Sequence, residues 1–400
     1  MSCNCGMAIH VSPAVHRSAR LTRMAPRVGI VGAGQLAQMM AQSAISLALE
    51  LVVLAEADGE PATRTGAEVL LGSADDPDAL RRLAERVDVV TFDHEQVDPA
   101  TLDALAADGH VVRPSGTVLR FSDKAHQRTH LGAAGFPVPA FAVATDDAAV
   151  EAFVHAHGPR IVAKAATGGY DGYGVFVIGG LDDLPAGARP TIERPLVLEP
   201  LLTLERELSV LIARNPSGDH ATYAVVDTIQ RDGICNETMA PAHIPAELAD
   251  EACALATAIA DEVGSTGMLA VELFVTADGL LVNELAPRPH NSGHWTIEGA
   301  ATSQFENHLR GVCDLPLGSA ELRAPAVATV NVLGPADGSD PRHRLADALA
   351  VRDAHVHLYG KGARPGRKLG HVTATAADPD AALDRAWQAV ERLTGETRPS

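Results

Sequence analysis

The segment from Arg27 to Leu54 limits the fold more than any other. Arg27–Val31 is a short apolar run that meets Gly32-Ala33-Gly34, then a helical pattern from Gln35, then Leu51-Val52-Val53-Leu54. Strand, glycine turn, helix and strand in that order make a βαβ opening, with the two strands parallel. Asp88–Phe92 and His110–Val112 read as further buried parallel strands, with a helix over Pro77–Arg86 between Leu54 and the first of them. Residues 27–122 are therefore expected to form one α/β domain.

The pattern then changes. A helix is expected from Asp123 to Ala134, ended by Gly135 and Pro137. Arg160–Lys164, Val175–Ile178, Leu196–Glu199 and Glu207–Ile212 read as strands separated by turns, which suggests a mixed or antiparallel domain. A helix over Pro245–Val263 and the run Leu269–Leu285 belong to it, so this domain is placed at 123–323. Ala324-Pro325 reads as a linker into a small C-terminal unit of strands and a helix, placed at 324–395.

Composition excludes several classes. A chain of 400 residues with 46% hydrophobic and 21% charged residues is globular. Its formal net charge of −19 leaves no basic surplus to displace counterions, which argues against nucleic-acid and anionic-membrane partners. Any anionic ligand must be held by a few local basic residues. The five scattered cysteines read as reduced thiols of a cytosolic protein, and Cys3-Asn4-Cys5 alone is too little for a metal clip. The most membrane-like run, Met39–Ala55, is broken by Gln42, Ser43, Ser46 and Glu50 and reads as a helix end and a strand. Residues 1–26 carry several arginines, no acid and no apolar core, and are read as a disordered extension.

Four motifs point to chemistry. Gly32-Ala33-Gly34-Gln35-Leu36-Ala37, with Glu56 beyond the next strand, nearly matches a dinucleotide fingerprint. An NAD-dependent oxidoreductase is therefore one reading; a helix N-terminus offered to another anion is the other. Gly168-Gly169-Tyr170-Asp171-Gly172-Tyr173-Gly174, with Lys164 four residues ahead, suits a backbone that folds over phosphates and closes as a lid. Glu199-Pro200-Leu201-Leu202 followed by Glu207 forms a bend whose backbone and leucines suit an adenine, or is only a domain crossover. Val271-Glu272-Leu273-Phe274 and Leu281-Val282-Asn283-Glu284 flank Asp278-Gly279, a hairpin signal. A three-residue loop, Ala277-Asp278-Gly279, would set Glu272 directly opposite Glu284, whereas a two-residue loop would send the carboxylates to opposite faces. Two facing acids on an apolar hairpin call for a cation, and Mg²⁺ is the natural one. Ala286–Trp295 then carries Arg288, His290, Asn291 and His294 with no amphipathic period, and Tyr359–His371 concentrates basic charge.

Together these residues resemble the ATP-grasp superfamily, and within it the N5-carboxyaminoimidazole ribonucleotide synthase family, from about Val28 to Leu393. The most specific strings are the loop at 168, Asn283–Trp295 continuing into Thr302-Ser303-Gln304-Phe305-Glu306, and Tyr359–His371. The resemblance implies an ATP-grasp fold of combined α/β and α+β class, with an N-terminal βαβ (pre-ATP-grasp) domain and a small C-terminal domain. It implies that Lys124, Lys164, Gly168, Gly169, Tyr170, Gly172, Gly174, Glu199, Pro200, Leu201, Leu202, Glu207, Gln230, Asn283 and Glu284 hold ATP. Glu272 and Glu284 would hold Mg²⁺, with Mn²⁺ as a substitute. Gln35, Leu36, Glu95, Tyr170, Asn291, Lys361, Arg367 and Lys368 would meet the substrate, 5-aminoimidazole ribonucleotide. Asp171, His290 and Arg288 would line the reacting centre, with Asp171 or His290 accepting a proton from the amine. The implied activity is ATP-dependent carboxylation of that substrate with bicarbonate through carboxyphosphate, in purine biosynthesis, by a cytoplasmic homodimer. The nearest rivals are a formate-dependent glycinamide ribonucleotide transformylase and a related ATP-grasp ligase acting on another amine. The chain departs from the family pattern at Tyr173, Ala166 and Thr167, where basic residues are usual, at Gln230, where His is frequent, and at Asp93-His94.

Overall fold

The computed structural model describes residues 26–168, 174–231 and 233–399. The extension, with Cys3 and Cys5, lies outside the described residues apart from Pro26, as do Gly169–Tyr173. Strands among the described residues form three sheets.

The first sheet contains β1 (Arg27–Val31), β2 (Glu50–Ala55), β3 (Glu68–Leu71) and β4 (Val89–Phe92) in the order β3-β2-β1-β4, all parallel. Its central strands are continuous apolar runs because helices cover both faces. The helix Gln35–Ser46 buries Leu36, Ala37, Met39, Met40, Ala41 and Ala44, and the helix Pro77–Ala84 buries Ala79, Leu80, Leu83 and Ala84. The expected strand at His110–Val112 is reduced to one parallel bridge, Val90 with Val112. Pro114 has no N–H to continue a ladder, so the pairing stops there.

The second sheet is antiparallel: β5 (Ala142–Ala144), β6 (Ile161–Ala165), β7 (Val175–Ile178) and β8 (Leu196–Pro200), in the order β5-β8-β6-β7. The third holds β9 (Arg206–Arg214), β10 (His220–Thr222), β11 (Val226–Arg231), β12 (Ile234–Ala240), β13 (Gly267–Thr276), β14 (Gly279–Ala286), β15 (Ala326–Leu333), β16 (Ala354–Leu358) and β17 (Lys368–Ala376). Their order is β14-β13-β9-β11-β12-β15-β17-β16, with β10 on β9, and every pairing is antiparallel. The helix Ala246–Val263 packs Ala252, Ala256, Ile259 and Val263 against Val210, Ile212, Leu269 and Val271.

The C-terminal segment holds the expected strands and helix, but its strands extend the third sheet. β15 pairs with β12, so the sheet runs on without a break from the central segment into the C-terminal one. Met239 of β12 joins the core that Ala328, Val330, Ala386 and Trp387 form. The physical reason is that β12 would otherwise present an open edge.

This topology has a consequence for truncation. A chain ending at residue 323 bares the β12 edge and part of its core, and is expected to aggregate or stay insoluble while the full chain remains dispersed, as light scattering after size-exclusion chromatography reports.

Candidate active site

The β13–β14 hairpin closes through two residues, Ala277 and Asp278, because Thr276 pairs with Gly279 and not with Leu280. Gly279 takes φ +116°, where a glycine is favoured. On turn length alone the two acids would point to opposite faces. They do not: the register shifts between Glu272 and Leu273, and Glu272 pairs with Glu284. Asn283 is the extra residue, a β-bulge that does in the strand what a third loop residue was expected to do in the turn.

The acids sit among further charges. Lys124 Nζ lies 2.7 Å from Glu284 Oε1. The Asp123 carboxylate caps the helix Lys124–Ala133 by accepting from the Ala125 and His126 N–H groups, which fixes Lys124 in the first turn. Only 16% of the Glu272 side chain is exposed. Burial, then Glu284 and Glu207, push its carboxyl up to about 8. Burial also raises Glu207, against Lys164 and a hydrogen bond with Gln230. Among the described residues, no three His, Cys, Asp or Glu side chains converge to hold an ion alone. Two carboxylates facing each other beside a third fit a divalent cation whose other ligands are phosphate oxygens and water, the usual habit of Mg²⁺.

Beside them is a buried polar network. Glu199, 2% exposed, accepts from Arg128 Nε at 2.6 Å and pairs with Lys164 Nζ at 2.7 Å. Lys164 also donates to Asn283 Oδ1 at 3.1 Å, and Arg128 donates to the Asn283 carbonyl at 2.7 Å. Burial alone would raise the Glu199 carboxyl, but Lys164 and Arg128 outweigh it and hold it below the usual range. The Glu199 side chain is thus committed inside the protein. Beyond it, Pro200 has no N–H and the Leu201 N–H donates to the Arg160 carbonyl, while the Leu201 side chain is exposed. Gly168 and Gly174 have φ +74° and +80°. Gly169, Tyr170, Asp171 and Gly172 lie between them, outside the described residues.

The block after β14 joins this region to the first sheet. Arg288 Nε is 2.7 Å from Glu95 Oε1, so its guanidinium is already engaged with an acid. His290 Nδ1 lies 2.9 Å from Ser292 Oγ, and its Nε2 is 3.9 Å from Glu272 Oε1. Burial, then Arg288 and Lys368, drop the His290 pKa to about 3, so the ring is neutral at pH 7. The Asn291 amide donates to the Cys235 carbonyl at 2.7 Å and accepts from Lys368. Lys361 donates to Gln35 Oε1 at 2.7 Å, and a cleft beside them is lined by Gly34, Glu60, Arg64, Lys361 and Arg367. The Leu36 side chain, by contrast, is 7% exposed and packs in the core, away from that cleft.

The glycine turn after β1 closes on the protein itself. Gly34 N–H donates to Asp93 Oδ2 at 2.7 Å, and a Cβ at Gly32 would stand 1.8 Å from Asp93 Oδ1. The buried Asp93 carboxylate fills the place a pyrophosphate would need in the dinucleotide reading.

Family models match in three parts: a ribonucleotide synthetase pre-ATP-grasp domain over residues 24–123, an ATP-grasp domain over 129–305, and a phosphoribosylaminoimidazole carboxylase C-terminal domain over 328–385. The N5-carboxyaminoimidazole ribonucleotide synthase of Mycobacterium tuberculosis (strain H37Rv) is 46% identical over 381 residues, covering 93% of this chain and 88% of that protein. The chain belongs to the N5-carboxyaminoimidazole ribonucleotide synthase family. The Synechococcus elongatus member is 38% identical, with 96% of this chain and 95% of that one covered. The crystal structure of N5-carboxyaminoimidazole synthase from Aspergillus clavatus in complex with ADP and 5-aminoimidazole ribonucleotide matches with a TM-score of 0.84 at 32% identity, over 92% of this chain and 98% of that one. This chain is an ATP-grasp ligase of purine biosynthesis, and neither the transformylase nor the nicotinamide alternative is favoured.

Two residues of this family member escaped the sequence reading. Arg128 lies one helical turn beyond Lys124, and its i,i+4 spacing from Lys124 was the available signal. Arg64 donates to the Gly360 carbonyl at 3.0 Å and to the Gly59 carbonyl, and lines the cleft with Lys361 and Arg367. Nothing local in Thr63-Arg64-Thr65 marks it.

The raised Glu272 carboxyl makes stability depend on pH. An acid whose pKa rises from 4.5 to about 8 on folding binds more protons folded than unfolded between those values, so its contribution falls as pH rises through that window. With chelator present, Glu272→Gln is expected to flatten the decline in Tm between pH 5 and pH 8 relative to the unsubstituted protein, and to be the more stable of the two at pH 8. Thermal unfolding across that range checks this.

Proposed function

We propose that the chain uses Mg-ATP to phosphorylate bicarbonate, and that the exocyclic amine of 5-aminoimidazole ribonucleotide takes the carboxyl group from carboxyphosphate. The products are N5-carboxyaminoimidazole ribonucleotide, ADP and phosphate. The observation that carries this reading is the facing pair Glu272 and Glu284, with Lys124 on one side and the Arg288–His290 block on the other.

The ATP side of the reading assigns Lys124 and Lys164 to the phosphates, the backbone of Gly168 to Gly174 to a lid over them, and Leu201 and Leu202 to the base. Glu272 and Glu284 would hold Mg²⁺, or Mn²⁺ in its place, since both accept carboxylate oxygens. Bound there, the ion would offset charge on the phosphoryl group in transfer. Lys164 adds a buried positive charge next to the same acids, in a setting where screening by water is weak. Closure matters because carboxyphosphate is hydrolysed by water.

On the substrate side, Arg64, Lys361 and Arg367 are three cationic groups in one cleft of a chain with net charge −19, which suits the phosphate of the ribonucleotide. Asp171 is assigned as acceptor of the amine proton. His290 is the second candidate: Ser292 fixes its ring through Nδ1, but burial makes it a weaker base than an ordinary imidazole. Glu95 and Arg288, joined to each other, are assigned to orient the ribonucleotide. Bicarbonate as co-substrate, the cytoplasm as working compartment and a homodimer belong to the same proposal; cell fractionation and sedimentation check the last two.

ADP release measured with each component omitted tests the reaction. It is expected to require both bicarbonate and 5-aminoimidazole ribonucleotide, and a requirement for formate alone would overturn the assignment. Asp171→Asn is expected to lower kcat by about 10²–10⁴, the usual worth of a general base, with KM for ATP little changed. If His290→Asn produces that pattern instead, the proton acceptor is His290.

A further inference from the structure

We infer that Arg128 is the positioning residue for the paired carboxylates: by holding the Asn283 bulge, it sets the register that brings Glu272 opposite Glu284. The inference rests on the divalent-cation reading of that pair.

The geometry is specific. From Thr276–Gly279 to Leu273–Val282 the hairpin keeps the flush register of its two-residue turn. Carried one step further, that register would pair Glu272 with Asn283 and turn Glu284 to the other face. One inserted residue cancels the mismatch. A bulge, however, removes its extra residue from the regular ladder and leaves backbone groups to be satisfied elsewhere. Arg128 supplies the partner, since its guanidinium donates to the Asn283 carbonyl at 2.7 Å. Lys164 holds the Asn283 side-chain oxygen at 3.1 Å, and the Asn283 amide points to Glu272 Oε2 at 3.4 Å.

Arg128 is built for this and not for a ligand. It is 2% exposed, with Nε on Glu199 at 2.6 Å and a terminal nitrogen on the Gln127 side-chain oxygen at 3.1 Å. Its fork therefore spans Glu199 at the end of β8 and the bulge in β14. A lysine offers one point charge and cannot span both. Without the fork the bulge has no fixed seat. If it moves past Glu284, the two acids separate to opposite faces although neither has been altered.

The test measures Mn²⁺ binding to the intact protein in the presence of ADP by electron paramagnetic resonance, with no turnover needed. Arg128→Lys and Arg128→Met are expected to weaken Mn²⁺ binding at least tenfold, approaching Glu272→Gln. Metal-free ADP affinity should stay within twofold, and the Tm of Arg128→Lys within a few degrees. Unchanged Mn²⁺ affinity in Arg128→Lys overturns the inference, as does an equal loss of metal-free ADP binding. Failure of Arg128→Lys to fold also overturns it, in favour of a purely structural role. If Glu272→Gln and Glu284→Gln both bind Mn²⁺ as the unsubstituted protein does, the divalent-cation reading itself has failed, a result separate from any seen with the Arg128 variants alone.

Discussion

The site depends on one buried ion network, Lys164–Glu199–Arg128, and on its hold on Asn283. Glu199 is 2% exposed and Lys164 8% exposed, so neither charge has much water to fall back on. Taking such groups from water costs several kcal/mol each unless partners meet them at close range. Contacts of 2.6 Å and 2.7 Å meet that need. The partners come from β6, β8, the helix Lys124–Ala133 and β14, so satisfying the charges also joins the small antiparallel sheet to the large one. Removing any one member would strand the others, which makes this junction a single unit in energy as well as in space.

The two halves of the site have opposite electrostatic character. Around the β13–β14 hairpin, Glu207, Glu272 and Glu284 outnumber Lys124 and Lys164, an imbalance that a divalent cation would correct. Near the first sheet, Arg64, Lys361 and Arg367 gather in one cleft. Arg288 and Glu95 join the halves, and neutral His290 stands beside Glu272. Behind the cleft, Tyr359 contacts His371 Nδ1 at 2.7 Å, and the His371 ring stacks on His357 at 4.4 Å between centroids. Burial drives His371 well below its ordinary value, so its ring adds no charge to the cationic cleft in front of it.

Much of the architecture was legible because its signals are local. β1, the glycine turn and the helix Gln35–Ser46 follow from apolar runs and a turn that needs little side chain. β6, β7 and the helix Ala246–Val263 fall within a residue or so of their expected bounds for the same reason. Leu36 shows the limit: its neighbour Gln35 reaches the cleft while Leu36 packs inward, a difference of one helical position that a motif match does not register. The C-terminal strands were legible as strands, but not as a continuation of the central sheet. Pairing of β12 with β15 is a contact across some ninety residues and leaves no periodic trace.

The facing glutamates divide the two kinds of information most clearly. Composition and patterning established that an apolar hairpin carries two acids around Asp278-Gly279, and that a cation would be needed if they met. Whether they met was a matter of parity, and a loop of two or three residues gives opposite answers. The tertiary structure decided it by a third route, a flush two-residue turn with the odd residue placed at Asn283. That choice cannot be read from residues 272–284 alone, because the group that seats the bulge, Arg128, lies 155 positions away. Local sequence determines strands, turns and charge; register is fixed by whichever distant donor reaches the unpaired carbonyl.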